Sequence, residues 1–119
     1  MSTELGPSIS QINLARSVIK QNLIKTPVIP LKSDRWMEVL PRDTNVSVKL
    51  ELFQQAGSFK ARGAYLGIQN LSSEQKKQGV VAASGGNHAL AVSWAAAAAG
   101  VTAKITMPKT TDPYRIEGC

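Results

Sequence analysis

The residues best suited to covalent chemistry lie in segment 57–63, where one lysine, Lys60, follows a glycine, a serine and a phenylalanine. Glycine tolerates positive φ without steric cost, so Gly57 permits a tight turn there. Ser58 is placed to accept a hydrogen bond from a backbone N–H at the start of the following helix. Lys60 would then lie in the first helical turn, where the positive end of the helix dipole favours the neutral amine. A neutral lysine amine can form a Schiff base, although a lone lysine is more often a solvated surface residue.

A second stretch with chemical potential is segment 84–88, which reads Ser-Gly-Gly-Asn-His. It separates a short apolar run, 80–83, from an alanine-rich segment, 87–99, that we expect to be helical. Backbone N–H groups of a glycine-rich turn at a helix N-terminus bind anions well. Ligands of open α/β sheets bind at such turns, outside the carboxyl ends of the strands. Taken alone, the Gly-Gly-Asn sequence also fits a plain tight turn.

The segments around both motifs alternate between strand and helix patterns. Apolar and polar residues alternate over 45–53, while 80–83 and 102–107 are two further strand candidates. The predicted helices are 8–22, 58–70, 72–78, 87–99 and a last one that opens at Asp112 and Pro113. This alternation predicts βαβ units and a parallel sheet.

Local signals also mark individual boundaries. Ser72 and Gln75 form a capping-box pair, and Gly79 is placed to end the helix that they begin. Segment 32–40 is ambiguous between a short amphipathic helix and an irregular connection. If that helix forms, three of its side chains face inward: Trp36, Val39 and Leu40.

Composition limits the classes of function. The chain has 119 residues, a net charge of +6, 43% apolar residues and 18% charged residues, as expected for a globular protein of about one domain. Its basic residues are scattered and only 5% of its residues are aromatic, which argues against a nucleic-acid surface and fits an anionic cofactor or substrate. A single cysteine, Cys119, excludes an internal disulfide, and no metal cluster is indicated. No secretory signal and no membrane span are predicted, so we expect a soluble, cytoplasmic protein.

Segment 57–63 resembles the cofactor-lysine motif of pyridoxal-phosphate enzymes of the tryptophan-synthase-β fold type, and most of all that of the serine/threonine dehydratases. Glu51 and Gln54 fit the same pattern, and segment 84–89 fits a second motif of the family. The resemblance implies an α/β fold with an open, mainly parallel sheet and flanking helices, here the N-terminal part of a two-domain fold. Residues 1–79 would begin the large domain with the cofactor lysine, and residues 80–119 would begin the small substrate-loop domain.

The resemblance also implies roles for individual residues. Lys60 would hold pyridoxal 5′-phosphate as a Schiff base and act as the catalytic base, with Phe59 against the cofactor ring and Asn87 bonded to the ring hydroxyl. The substrate carboxylate would lie in the turn formed by Ser84, Gly85, Gly86, Asn87 and His88. Arg62 is expected to point away and make a structural pair, and His88 to have a positional role.

The implied reaction converts L-threonine or L-serine, a small hydroxy amino acid, to a 2-keto acid and ammonia by β-elimination. Synthases of the family carry an aspartate after the lysine and a threonine after the asparagine, where this chain has Ala61 and His88. Serine racemases use a serine to return the proton at the position of Gly85, and glycine cannot donate one. The alternatives are a serine racemase, another β-eliminase of this fold, or a truncated, non-catalytic binding module.

Members of the resembling family are considerably longer than 119 residues. A later glycine-rich loop holds the cofactor phosphate in that family, and a neutral residue near the C-terminal end faces the ring nitrogen. We therefore expect an N-terminal piece of such an enzyme, homo-oligomeric when complete. On its own this piece should bind the cofactor weakly and be inactive.

Overall fold

In this computed structural model the residues described are 6–31, 34–41 and 43–119, with the side chains of residues 34, 36 and 37 left aside. The helices of this part of the chain are α1 (Ile9–Ile19), α2 (Asp34–Val39), α3 (Lys60–Gln69), α4 (Ser73–Gln78), α5 (Asn87–Ala98) and α6 (Pro113–Glu117). The strands are β1 (Val28–Pro30), β2 (Ser47–Lys49), β3 (Val80–Ala83) and β4 (Ala103–Thr106). None of the helices within these ranges has the length and apolar character needed to cross a membrane.

The strands form two separate two-stranded sheets. β3 and β4 are parallel, with Val80 opposite Ala103, and α5 makes the crossover between them. This unit confirms the predicted βαβ arrangement. β1 and β2 are antiparallel, with Val28 opposite Lys49, so one of the two sheets in the described residues departs from the predicted parallel arrangement.

The core lies between α3 and α5. Small side chains on α5, Ala95 and Ala96, are buried against the α3 face that carries Tyr65 and Ile68. Alanine at these positions lets the two helices approach closely, and the Tyr65 ring lies 5.6 Å from the ring of Trp94. The helix that begins at Lys60 and the helix that begins at Asn87 therefore belong to one packed unit.

Several predicted boundary signals are confirmed. The Ser72 side chain accepts a hydrogen bond from the Gln75 N–H, and the Ser72 N–H donates to the side-chain oxygen of Gln75. Gly79 follows α4 with φ 84°, which favours glycine. Asp112 caps α6 through the Tyr114 N–H, with Pro113 as the first helical residue.

Other predictions need correction. The strand predicted over 45–53 is only Ser47–Lys49, because the chain turns into 3₁₀ geometry at Glu51. Val39 is 73% exposed rather than inward, and the Trp36 side chain lies outside the described residues. Val81 is 82% exposed, so β3 is covered on only one face by the described residues.

Candidate active site

Two consecutive turns place Lys60 at the start of α3. After β2 the chain makes two short 3₁₀ turns, Glu51–Phe53 and Gln55–Gly57, and the Gly57 N–H bonds to the Gln54 carbonyl at 2.9 Å. Gly57 adopts φ 65°, as its predicted role in a tight turn requires. Lys60 is the first residue of α3, and its side chain is exposed.

Ala56 shares the left-handed conformation of its neighbour, with φ 56° and ψ 20°. This conformation costs an L-residue roughly 1 kcal/mol or more, because Cβ crowds the following carbonyl. We expect Ala56→Gly to raise the free energy of unfolding by about 0.5–1 kcal/mol, measured by urea denaturation. Ala64→Gly, in the interior of α3, is the matched control and should lower it by a similar amount. A destabilising Ala56→Gly would contradict strain at this turn.

The role predicted for Ser58 as a helix cap is wrong. Phe59 occupies the N-cap position of α3 and makes no side-chain capping bond. The Ser58 residue is buried, and its hydroxyl oxygen has no hydrogen-bond partner among the described residues.

The side chains of Lys60 and Phe59 lie together on the surface. The Lys60 Nζ is 5.1 Å from the centroid of the Phe59 ring, and Phe59 is 63% exposed. A cation at this distance from a ring face is attracted by the ring quadrupole. The pair thus presents a primary amine beside an uncovered aromatic face, at the N-terminal end of α3.

An ion pair between Arg62 and Glu51 holds the lysine helix to the 3₁₀ turn before it. Arg62, two residues after Lys60, donates from Nε and Nη2 to the two carboxylate oxygens of Glu51, both at 2.8 Å. Thr26 donates to the same carboxylate at 2.5 Å, and the Lys49 Nζ lies 3.7 Å from it. The bidentate bond from Arg62, aided by Thr26 and by the nearby positive charges, lowers the pKa of Glu51 to about 2 against the opposing effect of burial.

Gln54 makes a second set of hydrogen bonds between the lysine turn and the segment after α1. Its side chain, in a residue only 4% exposed, accepts from the Ile24 N–H at 3.0 Å and donates to the Ile24 carbonyl at 2.8 Å. The Arg62 Nη2 donates to the same carbonyl at 3.2 Å. Segment 24–26 is thereby fastened to both sides of the lysine turn. The expected structural pairing of Arg62 is present, but its partner Glu51 was not predicted.

Segment 84–88 forms the turn from β3 to α5, as predicted. The Ser84 N–H bonds to the Thr106 carbonyl at 2.9 Å, and the Ser84 hydroxyl accepts from the Gly86 N–H at 3.2 Å. The first intrahelical bond of α5 is donated by the Ala89 N–H to the Gly86 carbonyl. The N–H groups of Asn87 and His88 precede that bond and face the open end of the helix.

Gly85 and Gly86 differ in how much space a side chain would have at their positions. A Cβ at Gly85 would lie 2.6 Å from the Thr111 hydroxyl oxygen and 3.3 Å from Pro108, so glycine permits the β4–α6 connection to close over the turn. A Cβ at Gly86 would meet only the Arg115 Nη1, at 3.9 Å. The predicted carboxylate turn is therefore walled on one side by residues of the β4–α6 segment.

Asn87 begins α5 and is exposed, and its side-chain carbonyl oxygen accepts a hydrogen bond from the Arg115 Nη1 at 3.0 Å. His88 is exposed beside it. Sequence reasoning did not identify Arg115, which lies 28 residues further along the chain. In the sequence, the one indication of Arg115 as a site residue was its place on the helix predicted to begin at Pro113.

The structure thus places the predicted site residues in two groups on one packed unit. Lys60 and Phe59 lie at the start of α3, and the 84–88 turn lies at the start of α5. The 3₁₀ turn that precedes Lys60 also packs on α5, so both α3 and its entry turn rest on the helix that carries Asn87. An amine, an aromatic face, an amide and free backbone N–H groups are available on this unit.

Comparison with known proteins agrees with this picture. The family model described as pyridoxal-phosphate dependent enzyme matches residues 19–119. The chain is 41% identical over its whole length to the phenylserine dehydratase of Ralstonia pickettii, of which it covers 35%. It is 43% identical over 103 residues, or 87% of its length, to the catabolic L-threonine dehydratase TdcB of Staphylococcus aureus, of which it covers 29%.

Among solved structures, that of maize serine racemase is similar over 93% of the chain, with a TM-score of 0.82 and 37% sequence identity, and the chain covers 32% of it. The chain therefore spans about a third of the length of these relatives. The predicted α/β fold and the predicted cofactor class are confirmed. The chain belongs to the family of pyridoxal-phosphate dependent enzymes.

Proposed function

We propose that this chain forms the lysine-bearing part of a dehydratase that converts a small β-hydroxy amino acid, such as L-threonine or L-serine, to a 2-keto acid and ammonia. The observation that carries the proposal is the exposed Lys60 amine beside the open face of Phe59, on the helix packed against the one that begins at Asn87. The names of the two curated relatives, both dehydratases, support it. In this proposal residues 1–79 and 80–119 begin the two domains of a homo-oligomeric, cytoplasmic enzyme.

The residues present fit pyridoxal phosphate. The Phe59 ring is largely uncovered although phenylalanine is usually buried, and a planar ring lying against it would account for that. The Lys60 amine lies at the edge of the same surface, and the Asn87 amide NH₂ is free to donate to a ring hydroxyl, since its oxygen is used by Arg115. When bound, the cofactor supplies an aldehyde that condenses with an amine and a ring that accepts an electron pair.

The chain's own residues would then perform the proton transfer and the binding. The Lys60 amine would take the Cα proton of the substrate as a general base. The turn 84–88 binds the substrate carboxylate through the N–H groups at the open end of α5. Loss of the Cα proton and of the β-hydroxyl releases one water, and hydrolysis consumes one, so the products are a 2-keto acid and ammonia.

This proposal is tested with the protein encoded by the longest reading frame that contains the sequence, hereafter the full-length protein. It is purified with pyridoxal phosphate and offered L-threonine, L-serine and phenylserine, and 2-keto acid and ammonia are measured separately. Equal amounts of both products from a hydroxy amino acid are expected. Bound cofactor without any release of ammonia would reject the dehydratase proposal.

Elimination rather than racemisation is expected to dominate. The racemase alternative requires a proton donor on the opposite substrate face from Lys60, and the corresponding position is Gly85, where a Cβ would meet Thr111. We expect the full-length protein to form pyruvate from L-serine at least about tenfold faster than it forms D-serine, because Gly85 itself has no hydroxyl to return the proton. Chiral chromatography of the reaction mixture measures both rates. Comparable rates would favour the racemase.

A further inference from the structure

We propose that Arg115 is a positioning residue for Asn87: it holds the amide so that its NH₂ group faces the cofactor, and it strengthens that group as a hydrogen-bond donor. This inference rests on the proposed function, because it assigns a cofactor contact to Asn87. It adds a residue that lies outside both sequence motifs. It also gives α6, a helix of five residues, a part in the site.

The inference depends on one contact between residues far apart in the sequence, the hydrogen bond from Arg115 to Asn87. The Arg115 Nη1 donates to the Asn87 Oδ1 at 3.0 Å. Gly86, the residue before Asn87, leaves the approach open, since even a Cβ there would stay 3.9 Å from the guanidinium. Within the described residues, Asn87 is the side chain with which Arg115 forms a hydrogen bond, and Arg115 makes no salt bridge.

The helix that carries Arg115 is itself held in place. Asp112 caps it through the Tyr114 N–H at 2.8 Å, with Pro113 at its first position. Thr111 closes over Gly85, and α6 lies so near α5 that a Cβ at Gly118 would come within 2.8 Å of Leu90. The guanidinium therefore extends from a fixed backbone, so only the freedom of the Arg115 side chain itself is lost when it bonds Asn87.

The chemical consequence follows from the nature of an amide. Asn87 has one acceptor oxygen and two N–H donors, so a donor bound to the oxygen fixes which end faces a ligand. A cationic donor on the oxygen also polarises the amide and strengthens its N–H donors, because hydrogen bonds in a chain reinforce one another. A guanidinium at the N-terminal end of α5 is unfavourable for that helix, which makes a compensating anionic ligand oxygen more favourable.

The test is a double-mutant cycle in the full-length protein, read out as the dissociation constant of pyridoxal phosphate from absorbance titration of the apoprotein. Arg115→Met is expected to raise that constant about tenfold, as the loss of one charged hydrogen bond would. Asn87→Ala should raise it at least as much. In the Asn87→Ala background, Arg115→Met should add less than about twofold, because Arg115 acts through the amide.

Two further variants separate this role from others. Arg115→Lys keeps the charge and one donor and should recover part of the affinity. Lys109→Met removes the same charge from the β4–α6 connection, where Lys109 is exposed, and should leave the affinity unchanged. Thermal unfolding of each apoprotein shows whether it is folded, and if Arg115→Met is not, the cycle is run with Arg115→Gln.

Each outcome has a clear meaning. Unchanged affinity in a folded Arg115→Met variant would overturn the inference, and so would full additivity with Asn87→Ala. In both cases the proposed function stands as long as the unaltered protein binds cofactor and forms 2-keto acid and ammonia from a hydroxy amino acid. An unaltered protein that binds no pyridoxal phosphate would overturn the proposed function, and the inference with it.

Discussion

Replacing Lys60 with alanine is expected to lower the rate of keto-acid formation by the full-length protein at least about 10⁴-fold. The physical reason is that one amine both links the cofactor and moves the Cα proton, so its loss removes covalent attachment and general-base catalysis together. The position of Lys60 supports this assignment, because its amine is exposed and lies 5.1 Å from the Phe59 ring centroid. The measurement is keto-acid formation from L-threonine or L-serine, with bound cofactor followed by visible absorbance.

The matched control is Lys77→Ala, which removes another exposed lysine, one that pairs at 3.7 Å with Glu74 on the surface of α4. That variant should retain the unaltered rate within about twofold, because a surface ion pair contributes little. A small external amine, such as methylamine, should restore part of the proton transfer in Lys60→Ala. Turnover by Lys60→Ala close to the unaltered rate would defeat the assignment of the catalytic lysine.

The second large effect concerns Glu51 and acid stability. The pKa of this carboxyl is lowered from 4.5 to about 2, first of all by the bidentate bond from Arg62. A carboxyl with a depressed pKa stabilises the fold above its unfolded pKa, and this stabilisation is lost as the pH falls from about 5 to about 2. At 1.36 kcal/mol for each pKa unit the contribution at pH 7 is at most about 3 kcal/mol, since the Glu51 side chain is 17% exposed.

We therefore expect Glu51→Gln to lower the free energy of unfolding at pH 7 by up to about 3 kcal/mol. The difference from the unaltered protein should shrink by about 2 kcal/mol between pH 7 and pH 3, because the unaltered carboxyl is losing its advantage in that range. Urea unfolding of both proteins at pH 7, 5 and 3 measures this difference in the free energy of unfolding. Glu74→Gln, at the exposed pair with Lys77, is the control and should change stability by less than about 1 kcal/mol at every pH. A constant difference between Glu51→Gln and the unaltered protein across this range would show that the ion pair is not the cause.

Glu51 also has a bearing on catalysis, through geometry. Its carboxylate and the Gln54 amide connect segment 24–26 to the turn before Lys60 and to Arg62 after it. Packing alone would leave the first turn of α3 free to fray, since Phe59 supplies no cap. The Arg62–Glu51 bond instead ties the first turn of α3 to the 3₁₀ turn that precedes it. Among the described residues the buried Ser58 hydroxyl has no hydrogen-bond partner, so the place of a residue in a motif does not reveal its bonding.

The amino-acid sequence by itself determined the local features of this protein. Gly57 marks the turn before Lys60, Ser72 with Gln75 opens α4, and Asp112 with Pro113 opens α6. Each of these features depends on backbone preferences and on capping bonds between residues at most three positions apart. Such local preferences can be predicted from residue types alone. The parallel β3–β4 pair was predictable for a related reason, because a strand, a helix and a strand in succession leave few other arrangements.

Only the tertiary structure decided which side chains meet. Arg62 lies 11 residues from Glu51, Gln54 lies 30 residues from Ile24, and Arg115 lies 28 residues from Asn87. Such contacts depend on how the segment after α1 meets the lysine turn and how the β4–α6 segment meets the 84–88 turn, so no local preference specifies them. The left-handed backbone at Ala56 has the same origin, because an isolated segment would avoid it and surrounding contacts impose it. Burial of the Ser58 hydroxyl without a partner among the described residues is likewise a result of packing.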